Sequence, residues 1–268
     1  MKKGKLLGCG ATAEVYEWGP DKILKLYFDK YSEEWVNNEA KVGHIVNQSG
    51  INSPIVYEEV KVGSRLGVIY QRIYGKTITE HLITEPWKLY YYIHQMAVLQ
   101  NSIHNFSVNG LPTQKLRFTF SIRLSSYLLG YKVKRILEYM ESLPDGESIC
   151  HGDLYFNNII VLGNTLVPID WNSTYTGNRL GDVARTCMIM CSPAMINGIH
   201  DTVAMLSYYS KRLAYWAYIS EYMRLAKVKF EDIDAWTLPV AAAKLKDNIP
   251  GERKWLMSII DKRLELLN

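Results

Sequence analysis

Two short runs hold most of the polar groups that could do chemistry: HGDLYFNNII at residues 151–160 and LVPIDW at 166–171. Asp153 stands five residues before Asn158, which leads straight into an apolar strand pattern. Asp170 ends the next strand pattern, and Gly163-Asn164 lies between the two as a tight-turn dipeptide. A hairpin of this kind brings the 158 and 170 ends together. Asn and Asp oxygens converging there suit Mg²⁺, a hard ion that takes a few protein oxygens and completes its shell with water and phosphate. Asp153 could then reach past the metal to a substrate hydroxyl. Asn and Asp are also ordinary turn residues, and taken alone this segment reads nearly as well as a loop ordered by its own side chains.

The elements around these runs change character along the chain. Residues 4–28 and the segments IVYEEVKV and RLGVIYQRI are rich in strand-favouring residues, punctuated by Gly19-Pro20-Asp21 and Gly63-Ser64. Between them Ser32 is placed to cap a helix that opens with Glu33-Glu34, and Trp35, Glu39, Val42 and Val46 share one face of it. From Gly75 onward, residues 86–104, 120–142, 179–190, 198–226, 231–246 and 252–267 favour helix. The expected fold is α+β: a five-stranded antiparallel sheet with one helix over residues 1–74, then a larger, mostly helical domain over 75–268.

With its order and spacing, the HGD-x₄-N run followed by Ile169-Asp170-Trp171 resembles the aminoglycoside phosphotransferase/choline kinase group of kinase-like enzymes. The resemblance implies a two-lobed protein-kinase-like fold and transfer of the γ-phosphoryl group of ATP, or GTP, to a substrate hydroxyl. It makes Asp153 the catalytic Asp and gives Asn158 one Mg²⁺ and Asp170 the metal bridging the phosphates. His151 becomes an orienting residue. Gly8 and Gly10 in GKLLGCGATAEVY match a phosphate-covering loop, although Ala13 stands in place of its third glycine. Lys25, in ILKLY, matches the strand lysine that meets the α- and β-phosphates, and Glu39 is its candidate partner. Gln71, Arg72 and Ile73 fall at the hinge that would hold a purine, with Tyr70 behind it. Asp182 either buttresses the catalytic loop or caps its own helix. Tyr155, Phe156 and Asn157 depart from the His-Pro-Gly common in the group.

Bulk properties narrow the partners. Lys and Arg exceed Asp and Glu by 31 to 27, with no basic run to track a nucleic-acid backbone. No stretch approaches the roughly 18 apolar residues of a membrane span, and Leu6-Leu7 is too short for the apolar core of a signal peptide. Cys9, Cys150, Cys187 and Cys191 form no disulfide framework or metal spacing, which fits a cytoplasmic location. The resemblance implies a small-molecule acceptor: choline-like, a sugar or an aminoglycoside. Tyr208, Tyr215 and Tyr222 recur at seven-residue intervals and could cage a quaternary ammonium, or simply pack. Residues 183–268 carry 12 Lys/Arg against 9 Asp/Glu, which disfavours a polycationic acceptor. A nucleotide-binding pseudokinase is the main alternative. The H-R-D, D-F-G and A-P-E signatures of a protein kinase are missing.

Overall fold

The computed structural model describes residues 3–194 and 201–267, with residues 201–210 described as backbone only. In chain order the strands and helices are β1 (Leu6–Cys9), β2 (Ala13–Glu17), β3 (Lys22–Tyr27), α1 (Glu33–Gln48), β4 (Val56–Val62), β5 (Arg65–Gln71), β6 (Lys76–Thr77), α2 (Ile78–Thr84), α3 (Leu89–Ile103), α4 (Gln114–Leu124), α5 (Ser126–Leu129) and α6 (Lys132–Ser142). They continue with β7 (Ser148–Cys150), β8 (Ile159–Leu162), β9 (Thr165–Pro168), β10 (Tyr175–Gly177), α7 (Arg179–Cys191), α8 (Asp201–Ala226), α9 (Phe230–Asp234), α10 (Thr237–Lys244) and α11 (Glu252–Glu265).

The chain forms two compact units: residues 1–84 with 156–174, and residues 85–155 with 175–268. These units do not follow a single cut at Tyr74-Gly75. Strand β6 pairs with β8, and a Cβ added at Gly75 would meet the Val161 carbonyl oxygen at 2.3 Å. Only glycine allows that approach, and it ties the later hairpin into the first unit.

The first unit carries the antiparallel sheet expected from the sequence, in the order β1-β2-β3-β5-β4, and a smaller sheet β6-β8-β9. Ser32 caps α1, accepting the Trp35 N–H at 3.3 Å, and Glu33-Glu34 complement the dipole of the first turn. The inward face of α1 presents Val36, Glu39, Ala40, Val42, Gly43 and Val46. Val36 and Ala40 join Ala13, Tyr27, Val56 and Val68 of the sheet in one apolar cluster. A second cluster, including Leu24, Leu26 and Ile69, covers the other sheet face. Glu39 is the one carboxylate on the buried stripe of α1.

The second unit is helical, with the pair β7–β10 as its small sheet. The helical span expected over 120–142 divides into α4, α5 and α6, with Gly130 at φ 55° before α6. The expected helix over 231–246 breaks at Ala235-Trp236 into α9 and α10. The first residues of the expected helix at 198–226, and the side chains of Tyr208 and Tyr209, lie outside what is described. No helix among the described residues is long and apolar enough to cross a membrane.

Candidate active site

In the first unit, β3 holds Lys25 between Val15 of β2 and Val68 of β5. Its side chain passes under α1, where Nζ lies 2.7 Å from Glu39 Oε1 and 2.8 Å from Asp170 Oδ1. Glu39 is 4% exposed and Lys25 15%, so the pair sits where water screens little. Burial works against the Lys25 charge, but Asp170 and Glu39 outweigh it and hold the ammonium protonated well above the ordinary lysine range. Tyr70 donates its hydroxyl to the same Glu39 oxygen at 3.3 Å, and burial together with Glu39 pushes that phenol up. The ion pair expected between Lys25 and Glu39 is therefore present, with Asp170 as a third member that sequence spacing did not indicate.

Asp170 arrives there on the β8–β9 hairpin. Gly163 takes φ 59° in the two-residue turn, and the register pairs Ile159 with Pro168 through Leu162 with Thr165. The ladder extends one step beyond the strands, since the Ile169 N–H donates to the Asn158 carbonyl at 2.9 Å. Asn158, opposite Ile169, and Asp170, the next residue along, are thus both carried at the open end of the hairpin. Asp170 has φ 64° and ψ 64°, a left-handed conformation costly for most side chains and tolerated by Asp. Its carboxylate remains 35% exposed. An amide and a carboxylate carried at one end of the hairpin, the carboxylate balanced by an ammonium, are of the donor types that fit Mg²⁺.

The glycine-containing loop joins β1 to β2, and the Gly10 N–H donates to the Ala13 carbonyl at 2.9 Å. Neither Gly8 nor Gly10 has a positive φ, and a Cβ at Gly8 would meet nothing within 4 Å. The fold itself does not require glycine there. At the expected hinge, the Gln71 N–H donates to the Ile55 carbonyl at 2.8 Å and the Arg72 N–H to the Asp21 carbonyl at 2.9 Å. Both donors are committed inside the unit, and the Ile73 carbonyl accepts the Gly75 N–H at 3.1 Å. The Arg72 guanidinium pairs with Glu17 at 3.0 Å.

In the second unit, the catalytic-loop motif is fixed from α7. Asp182 is buried; its Oδ1 accepts the Gly152 N–H at 2.7 Å and its Oδ2 the His151 N–H at 3.2 Å. Oδ2 also takes Gln100 Nε2 at 2.9 Å and lies 3.0 Å from His104 Nε2. Burial alone would raise this carboxyl, yet the bonds from His104 and Gln100 hold it below the ordinary aspartate value. Asp182 buttresses the loop, and the cap of α7 is instead Asn178, which accepts the Leu180 N–H at 2.9 Å. His151 is fully buried, in keeping with a structural role, and Gly152 has φ 77°. The Asp153 N–H donates back to His151 Nδ1 at 3.3 Å.

Behind Asp182 stand residues that sequence reading did not single out for this purpose. His104 Nδ1 meets the Tyr222 hydroxyl at 2.7 Å, and Gln100 bonds both Tyr218 and Thr186. Tyr218 and Tyr222 are buried, so packing rather than a ligand cage accounts for them. Tyr215 and Trp255 line a cavity of 420 Å³ with Ala184, Cys187, Met188 and Cys191. Those four positions share one face of α7, opposite the face that carries Asp182. Burial raises both thiols there, in line with a packed face rather than a metal site. His104, Cys150 and Asp182 come close enough to hold an ion, but the hydrogen bonds just described already engage Asp182 and both His104 nitrogens.

A strand lysine held by a helix glutamate, beside a hairpin-borne Asp-Asn pair, and an HGD loop anchored on a buried Asp define a kinase-like phosphotransferase. The chain belongs to the phosphotransferase enzyme family APH, whose model matches residues 3–216. Its fold is similar to that of a thermostable mutant of aminoglycoside phosphotransferase APH(4)-Ia, with a TM-score of 0.65 at 15% identity over 97% of this chain and 94% of that one. It is also similar to a putative fructosamine-3-kinase from Haemophilus somnus 129PT, with a TM-score of 0.61 at 12% identity over 98% and 90% of the two chains. The amicoumacin kinase hAmiN superposes with a TM-score of 0.51 at 13% identity over 94% and 91%. No curated protein matches the chain in sequence.

Proposed function

We propose that this phosphotransferase moves the γ-phosphoryl group of ATP onto a hydroxyl of a small molecule. The observation that carries the reading is the Lys25 ammonium held between Glu39 and Asp170. A buried strand lysine fixed by one carboxylate and facing a second, more exposed one is arranged to meet an anionic group and its counter-ion. Nucleotide binding is assigned to the residues of the sheet: Gly8 and Gly10 let the backbone approach the phosphates, Lys25 contacts them, Glu39 orients Lys25, and the Gln71–Arg72–Ile73 segment receives the base. Asn158 and Asp170 would hold Mg²⁺, which, when bound, neutralises charge on the phosphates.

Asp153 is the residue that accepts the hydroxyl proton. Its main-chain direction is set by Gly152 and His151, both bonded to Asp182. Phosphoryl transfer asks mainly for alignment and charge neutralisation, and each assigned residue supplies one of these. ATP is the donor proposed, with GTP as the variant that Tyr70 would favour by narrowing the base site. An acceptor bearing sugar-like hydroxyls is favoured over choline, because Tyr218 is committed to Gln100 and Tyr222 to His104, and neither is open to an ammonium group. The APH(4)-Ia and APH(2")-IIa structures with hygromycin B and streptomycin support the same acceptor class. Neither nucleic acid nor a membrane surface is among the proposed partners, and the site of action is cytoplasmic.

Transfer of labelled phosphate from γ-labelled ATP and GTP to a panel of aminoglycosides, amino sugars, ketosamines and choline tests the reading. Labelled product from at least one acceptor is the expected result. Nucleotide binding without product from any acceptor would favour the pseudokinase reading.

A further inference from the structure

Asp182 accounts for the hydrogen-bond donor of Gly152, and the acceptor of the same residue is held by a different one. Arg185 lies three residues on, on the same face of α7, and its Nε donates to the Gly152 carbonyl. Its other end, NH2, pairs with Asp247 Oδ2 at 3.1 Å, and Arg185 and Asp247 are only 11% and 19% exposed. Burial works against the Arg185 charge, but the Asp247 and Asp153 carboxylates outweigh it and keep the guanidinium above the ordinary arginine range. Arg117 of α4 is lowered by its own burial and by Arg185. Asp247 is itself fixed in a 3₁₀ turn, Leu245–Asp247, that follows α10. Its Oδ1 takes Lys246 at 3.1 Å.

We infer that Arg185, oriented by Asp247, is a positioning residue that sets the peptide between Gly152 and Asp153 and thereby aims the Asp153 carboxylate. The inference rests on the reading of Asp153 as the catalytic residue. Gly152 lies at φ 77° and is buried, and with no side chain of its own it leaves the peptide to be held by its neighbours. Asp182 fixes the plane on one side and Arg185 the plane on the other. A planar guanidinium with several donors can serve a carbonyl and a carboxylate at once, whereas an ammonium is a point charge without that fork.

Amide exchange at Gly152 and Asp153 in the full chain tests this, alongside phosphate release from Mg–ATP with water as acceptor. In Arg185→Met the loop loses the bond that anchors its Gly152 carbonyl, so the two amides, which donate to Asp182 and His151, should exchange about ten-fold faster or more through more frequent opening of the loop, while amides of α11 keep their rates. Phosphate release should fall by about 10²-fold, as for a slightly misaligned group, with the KM for Mg–ATP unchanged. Arg185→Lys should restore only part of either. Arg185→Met leaves Asp247 with Lys246 as its ion-pair partner, so Arg185→Met/Asp247→Leu is the control for global destabilisation: thermal stability recovers and the loop still exchanges fast. Loop amides that stay protected in both variants, or that speed up only in step with α11, overturn the assignment. Asp153→Asn is run in parallel. Should it leave phosphate release intact, the catalytic reading of Asp153 fails, while the exchange data still decide what Arg185 does to the loop.

Discussion

Asp170 places its Oδ1 2.8 Å from the ammonium of Lys25, a residue 145 positions earlier in the chain. Glu39 meets the same ammonium at 2.7 Å. One cation therefore serves a buried carboxylate that it neutralises and a half-exposed carboxylate that a metal could draw away. That division leaves Lys25 with a buried counter-charge of its own in Glu39.

Replacing Lys25 by Met should cost about 3 kcal/mol, because it leaves Glu39 buried without its cation. The pH dependence has a definite sign. The folded Lys25 value is raised, so its stabilisation is fully present below the unfolded lysine value of about 10.4. It is lost only as pH rises through the higher folded value. Urea unfolding of the wild type and Lys25→Met from pH 7 to 11 should show a constant difference up to about pH 10 that narrows beyond. A difference that vanished near neutrality would contradict the burial and pairing described for this residue.

Asp153→Asn and Asp170→Asn should separate proton acceptance from metal binding. The first removes the proposed base, and turnover should fall by about 10²–10⁴ with nucleotide affinity little changed. The second removes a proposed metal ligand and half of the Lys25 arrangement, so Mg–ATP affinity should fall together with turnover. Calorimetric titration beside the phosphotransfer assay distinguishes the two patterns.

Asp182→Asn would present an amide to the N–H groups of His151 and Gly152, to Gln100 and to His104, where only an acceptor satisfies all four. Unfolding free energy should drop by about 3 kcal/mol, as for a buried charge removed from its donors. The folded Asp182 value is depressed, so its stabilisation is present above the unfolded aspartate value of about 3.9 and disappears as pH falls through the folded value. Chemical denaturation at pH 7 and at low pH should show the wild type losing its advantage over Asp182→Asn only in acid.

Gly8→Val tests whether glycine serves the ligand rather than the fold. Nothing lies within 4 Å of the added Cβ, and φ is not positive. The thermal midpoint should therefore hold, while affinity for Mg–ATP weakens about ten-fold through the loss of a close backbone contact. A fall in stability with affinity preserved would reverse the interpretation.

Much of this was legible in the residues themselves. Strand patterns punctuated by Gly19-Pro20-Asp21 and Gly63-Ser64 specify adjacent antiparallel strands because turn chemistry is local. Ser32 with Glu33-Glu34 specifies the start of α1 for the same reason. Glu39 on an otherwise apolar stripe called for a cation, and a strand lysine was at hand. The Gly163-Asn164 turn fixed the register that brings Asn158 and Asp170 to the same end of the hairpin. Strands β7 and β10, three residues each, are too short for any periodicity to show.

What only the tertiary structure decided concerns groups whose partners are distant in sequence. No spacing rule links Asp170 to Lys25, Arg185 to Asp247, or His104 and Gln100 to Asp182, since each pairing depends on how separate elements pack. Whether Asp182 capped its helix or held the loop could not be read locally, because an Asp in the first turn suits both roles; the placement of Asn178 as the cap left Asp182 to the loop. The tyrosines at seven-residue spacing were equally open, since one helical stripe serves a ligand or a core. Burial of Tyr222 against His104 settled its use, because a hydroxyl taken from water needs a partner and found one there.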